Sequence, residues 1–74
     1  MFDQHIMHDI LLERQKQHNM WDSVHDDSHS YAEWGCLIAS YACRNDGRHR
    51  EDMVKVAALA IAALESNDRY YGTH

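Results

Sequence analysis

Apolar residues recur at helical spacing in three stretches of the chain, with no period-two run of strand length. Phe2, Ile6, Met7, Ile10 and Leu11 mark one face of a first helix, predicted over about Asp3 to His18. The following "ERQKQHN" is polar, so this helix is expected to fray near Asn19, with Met20 and Trp21 returning an apolar anchor to the core. A linker, "DSVHDDSH", leads to a second helix predicted over about 31–43. Its start carries a capping box, "SYAE". The Ser30 hydroxyl accepts from the Glu33 amide while the Glu33 carboxylate accepts from the Ser30 amide. Tyr31, Trp34, Leu37, Ile38 and Tyr41 then form a broad apolar face, and Gly35 with Ala39 is expected to permit close helix approach. "RNDGR" has the residue types of a turn. A third helix follows over about 51–69, where "VKVAALAIAALE" is apolar almost all round except at Lys55.

That third helix has more apolar surface than two neighbours cover. The expected architecture is therefore an all-α three-helix bundle in one domain, 1–74, completed by oligomerisation. Size favours this as well, because 74 residues bury a modest fraction of their surface. On this reading Ala58 and Ala62 lie on the outer side of the helix, and a glutamate at either disrupts assembly. The absence of proline, with only 3 glycines, suits long helices.

Composition narrows the function classes. At 45% apolar residues the chain is not a disordered tail. A formal charge of −5 argues against general nucleic-acid binding, which needs clustered Lys and Arg on phosphate. No secretory leader is expected from the polar N-terminus. The run from Val56 to Leu64 falls short of the about 20 residues that cross a bilayer, so no membrane role and a cytoplasmic location in a host cell are expected. Cys36 and Cys43 on one helix lie roughly 10.5 Å apart at 1.5 Å per residue, beyond the reach of a disulfide. Two cysteines alone do not make a zinc site.

Three clusters carry candidate chemistry. His25, His29 and Glu33, four apart, would share a face of a continuous helix and offer metal ligands. The capping box starts the helix at Ser30 instead, which leaves the histidines in the linker and makes Asp26 and Asp27 alternative caps. His5 and His8 are a second pair, read as an exposed helix face. Arg44, Arg48, His49 and Arg50 crowd the turn before the third helix, with Lys55 one turn inside. A helix N-terminus among arginines binds phosphate or carboxylate; the plainer reading is a solvated charged turn, since Asp46, Glu51 and Asp52 lie among them. Trp21, Tyr31, Trp34 and Tyr41 either stack on a base or form core. No nucleophile turn or Gly-rich phosphate loop occurs.

"LLERQKQHNMWDSVHDDSHSYAEWGCLIASYA" followed by "REDMVKVAALAIAALESNDR" resembles a family of short phage and prophage proteins. Its members share an ER-x-x-Q helix end, a tryptophan, an HDD-x-H segment and a helix reading D-x-V-K-x-A-A-L that ends in E-x-x-D-R. Their longer insert before the last helix is here only "RNDGRHR". The pattern is more distantly similar to MazG-like all-α nucleoside triphosphate pyrophosphohydrolases, which hold Mg²⁺ with paired acidic motifs. Here Glu33 stands alone on its helix, Lys55 takes the place of an acid after Asp52, and Glu65 with Asp68 follows the apolar run instead of preceding it. Together these readings lead to a small phage-type accessory protein that acts by binding, without catalytic residues, cofactor or metal. Its partner would be a nucleotide-like ligand or a host protein, with counter-defence as one role. The expected ligand contacts are Glu33, Trp34, Tyr41, Arg48, Arg50, Asp52 and Lys55. The alternative is a Mg²⁺-dependent MazG-like hydrolase with a reduced site built from Glu13, Glu33 and Asp52.

Overall fold

A computed structural model of the chain describes residues 3–20 and 26–71, with the side chain of Tyr71 outside that description. The described residues form three α-helices in order: α1 (Gln4–Met20), α2 (Tyr31–Ala42) and α3 (His49–Tyr71). Helix α3 is the central element, packed against both α1 and α2. Its contacts set the directions. Asp9 and Glu13 on α1 meet Arg50 and Lys55 on α3, so the two run parallel. Tyr31 at the start of α2 bonds Asn67 late in α3, while Arg44 just beyond α2 pairs with Asp52 in the first turn of α3, so these two run antiparallel.

Local chemistry explains the helix ends. The Asp3 carboxylate accepts from the amides of His5 and Ile6 at 2.8 and 3.3 Å and starts α1. Ser30 and Glu33 form the reciprocal capping box at 3.2 and 3.0 Å. Such a cap contributes about 0.5–2 kcal/mol. Gly47 closes the turn at φ +80°, a left-handed conformation that a Cβ would strain. Helix α1 does not fray near Asn19 but continues through Met20.

The core is small. Trp34, Leu59 and Ala62 form it, with Leu37, Ile38, Tyr41 and Ala63 packed around them. Three expectations are corrected here. Ala58 and Ala62 are not on an outer side, being 0% and 1% exposed. They share a face with Lys55 and Glu65, both of which bind α1, so the alanines are small because α1 lies close to that face. A Cβ at Gly35 would meet nothing within 4 Å, so this glycine serves no close helix approach. Finally, the apolar stripe of α1 is only partly covered, with Ile10 half-buried. Ile6, Met7, Leu11, Leu12 and Met20 are all exposed, and the one buried residue of the helix is Gln17. Phe2 and Trp21 lie outside the described residues.

Candidate functional site

The polar end of α1 points inward. Glu13, Arg14 and Gln17 come from about one and a half turns of helix; Arg14 reaches Glu65 late in α3, while Glu13 reaches Lys55 nearer its start. The Arg14 guanidinium, 12% exposed, donates from Nε to Glu65 Oε1 at 2.7 Å and from Nη2 to Asp26 Oδ2 at 3.3 Å. Gln17 donates from Nε2 to Glu13 Oε2 at 3.5 Å, and Lys55 reaches the same oxygen at 3.3 Å. Beside them Arg69 holds Asp27 by a fork, with Nη2 at 2.7 Å and Nε at 3.1 and 3.2 Å. That guanidinium, with help from Ser66, keeps the Asp27 carboxyl below its ordinary range, and Asp27 in turn raises Arg69. The sequence stretches ER-x-x-Q, DD-x-H and E-x-x-D-R thus meet in space. Asp26 and Asp27 are ion-pair partners, not caps of α2.

Two cavities adjoin this cluster. The inner one, about 150 Å³, is lined by Arg14, Gln17, Asp26, His29, Leu37 and Leu59, with Trp34 and Ala62 completing it. The outer groove, about 290 Å³, carries Tyr31, Asn67, Ser66 and Tyr70 along with Asp27 and Ser30. His29 and Trp34 belong to both, with ring centroids 4.9 Å apart at 57°. Two buried atoms on residues that line the inner cavity, Arg14 Nη1 and Gln17 Oε1, have no hydrogen-bond partner among the described residues. Native interiors carry few such atoms.

The residues expected to form the ligand site do not form one pocket. Glu33 is at the start of α2, where the Ser30 amide beside it holds its carboxyl low. Asp52 is in the first turn of α3, 2% exposed and paired with Arg44 at 3.6 Å. From Asp52 to Asn67, which marks the Glu33 end, α3 rises about 22 Å. Arg50 binds Asp9 at 2.8 Å and keeps that carboxyl low, while Lys55 is taken by Glu13. These two line a separate cleft of about 320 Å³ between α1 and α3. Arg48 is exposed, its amide bound to Asp46 at 3.1 Å. Tyr41 stacks beneath Arg44 at 4.7 Å. Of the expected set only Trp34 lines either of the adjoining cavities. Arg14, Gln17, Glu65 and Arg69, which the structure brings together with Asp26 and Asp27, were not among the expected ligand contacts.

Among the described residues no three His, Cys, Asp or Glu side chains form a cluster able to hold a metal ion; His25 lies outside them. Cys36 and Cys43 are free and exposed. No described helix is long and apolar enough to cross a membrane. No family profile, curated protein or solved structure matches the chain.

Proposed function

We propose that this protein is a binding protein without catalysis whose ligand is a neutral, nucleoside-sized ring compound taken into the adjoining cavities at the α3 C-terminal end. The observation that carries this reading is the shared His29–Trp34 wall between an inner cavity and an outer groove edged by Tyr31, Asn67 and Tyr70. Aromatic faces with a few fixed polar groups suit a planar heterocycle. Phosphate is disfavoured, because Arg14, Arg69 and Lys55 each already face a carboxylate. The ion pairs also suit holding a ligand better than moving protons. A phage-type accessory role is compatible with such a binder.

Thermal-shift titration with nucleosides and their 5′-phosphates tests the reading. A nucleoside at 100 times its Kd stabilises by about 2.7 kcal/mol, and in a domain of this size that raises Tm by about 15 °C. Tyr70→Ala, on an exposed groove residue, weakens the effect without unfolding the chain. If no ring compound shifts Tm, the groove reading fails and a host-protein target takes its place.

We further infer self-association. Ile6, Ile10, Met53, Val54 and Ala57 line, with Arg50, a groove of about 280 Å³ between α1 and α3, and Met7 and Leu11 on α1 are exposed. Exposed apolar patches of this kind mark association sites. Light scattering is expected to give at least a dimer mass; a monomer at high concentration removes the idea.

A further inference from the structure

We propose that a second copy of this chain docks antiparallel on the outer face of α3, across a two-fold axis between Ala57 and Ala60. The proposal rests on the self-association inferred above and names its interface. At about 100° per residue, the buried positions of α3 fall on one side of the helix: Asp52, Ala58, Leu59, Ala62 and Ser66. The flanking helices pack to either side. Arg50, which binds α1, marks one edge of the remaining face, and Asn67, which binds α2, marks the other. Between these edges, opposite the buried side, run Met53, Ala57, Ala60 and Leu64. Their spacing of four, three and four keeps them in one seam along the helix. Leu64 is 63% exposed, and the other three are half-buried. Such a seam on the outside of a long helix suits a helical partner.

The seam is complementary to its own reverse. Turned end for end about its midpoint, it sets Met53 against Leu64 of the second copy and Ala57 against Ala60. The alanines at the centre let the two helix axes approach to about 8 Å. Leu64 of one copy then meets the mouth of the groove that Ile6, Ile10, Met53 and Ala57 line in the other. Charge selects the antiparallel direction. Arg50 and Asp68 lie about five turns apart and so share the α1 flank of the seam. A two-fold axis across the helices sets each flank against the same flank of its mate, so Arg50 meets Asp68 of the second copy, their heights matching within about 1.5 Å. Arg50 spends Nη2 on Asp9 and its side chain is 59% exposed, so further N–H donors remain. Asp68 is half-buried and enters no ion pair among the described residues. A parallel pair would instead bring Arg50 level with Arg50 and Asp68 level with Asp68, and would align the two helix dipoles.

Sedimentation equilibrium of the full chain at high concentration tests the interface, with far-UV circular dichroism as the check on folding. The contact runs about 27 Å along one helix, which is small beside a standard interface, so pairing is expected to be weak and each chain to fold alone. Leu64→Glu and Ala60→Glu should each weaken dimerisation about tenfold or more while the chain stays helical, because each brings two unpaired carboxylates into the seam. Arg50→Glu and Asp68→Arg should each weaken it by a smaller factor, as exposed pairs do. Mixing these two variants should restore it, since every Arg50–Asp68 contact in the mixed dimer again joins opposite charges. A monomer for the unmutated chain overturns both the self-association and its interface. A dimer that Leu64→Glu leaves unchanged overturns the seam, and so do charge variants that pair no better mixed than alone; association then runs through another surface. Leu64 is exposed and its substitution repacks no core, so an Ala60→Glu chain that fails to fold leaves the test in place.

Discussion

Ala62→Glu should leave the chain unfolded at room temperature. Position 62 is 1% exposed and lies in the small Trp34–Leu59 core. A glutamate there has to displace packed neighbours and bury a carboxylate beside Arg14, whose guanidinium already faces Asp26 and Glu65. The effective cost of such a charge is several kcal/mol, about 5 kcal/mol or more once overpacking is added. A domain of this length has about 4–11 kcal/mol of stability to lose, at 0.05–0.15 kcal/mol per residue. Among the described residues four apolar side chains are buried, Trp34, Ala58, Leu59 and Ala62. Ala58→Glu should behave the same way. Leu64→Glu, by contrast, places the charge on a residue 63% exposed, and should change stability by about 0.5 kcal/mol or less. Far-UV circular dichroism separates the cases. A helical Ala62→Glu chain that has only changed its mass in light scattering would mean that this face of α3 is an intermolecular one.

The second large effect is expected at Arg14. Arg14→Met keeps the length of the side chain and removes the guanidinium that joins α1 to Asp26 and to α3 through Glu65. Asp26 is 7% exposed and would be left as a buried charge without its partner. Breaking a buried pair from one side costs about 3–5 kcal/mol. The Glu65 end adds little, since that carboxylate is half exposed and water replaces the contact. The diagnostic is the rescue. Asp26→Asn in the Arg14→Met background removes the stranded charge, so the double variant should recover about 1–3 kcal/mol relative to Arg14→Met alone. Urea denaturation measures both. A loss below about 0.5 kcal/mol in Arg14→Met, or no recovery in the double variant, would mean that the network does not hold this end of the bundle together.

These two positions also divide what is local from what is not. The three helices, the Ser30–Glu33 cap and the Gly47 turn were legible in the sequence, because each depends on residues within a few positions of one another. Hydrogen bonds of a cap span three residues, and the φ of one glycine decides the turn. The same local rules misplace the inward faces. An apolar stripe on α1, read by periodicity alone, points at a core; in the fold Ile6, Met7 and Leu11 are exposed while Glu13, Arg14 and Gln17 turn inward. A polar side chain can be buried only where partners await it. Those partners are Asp26, 12 residues away, and Glu65, 51 residues away. No window of neighbouring residues contains that information. Likewise, the basic residues near the start of α3 read either as a phosphate site or as a solvated charged turn, and only the parallel packing of α1 sets Asp9 against Arg50 and Glu13 against Lys55. The sequence by itself determined where helices begin and end, through short-range backbone chemistry. Tertiary structure alone decided which charges meet an opposite charge and which side chains are covered, because both follow from distances between segments remote along the chain.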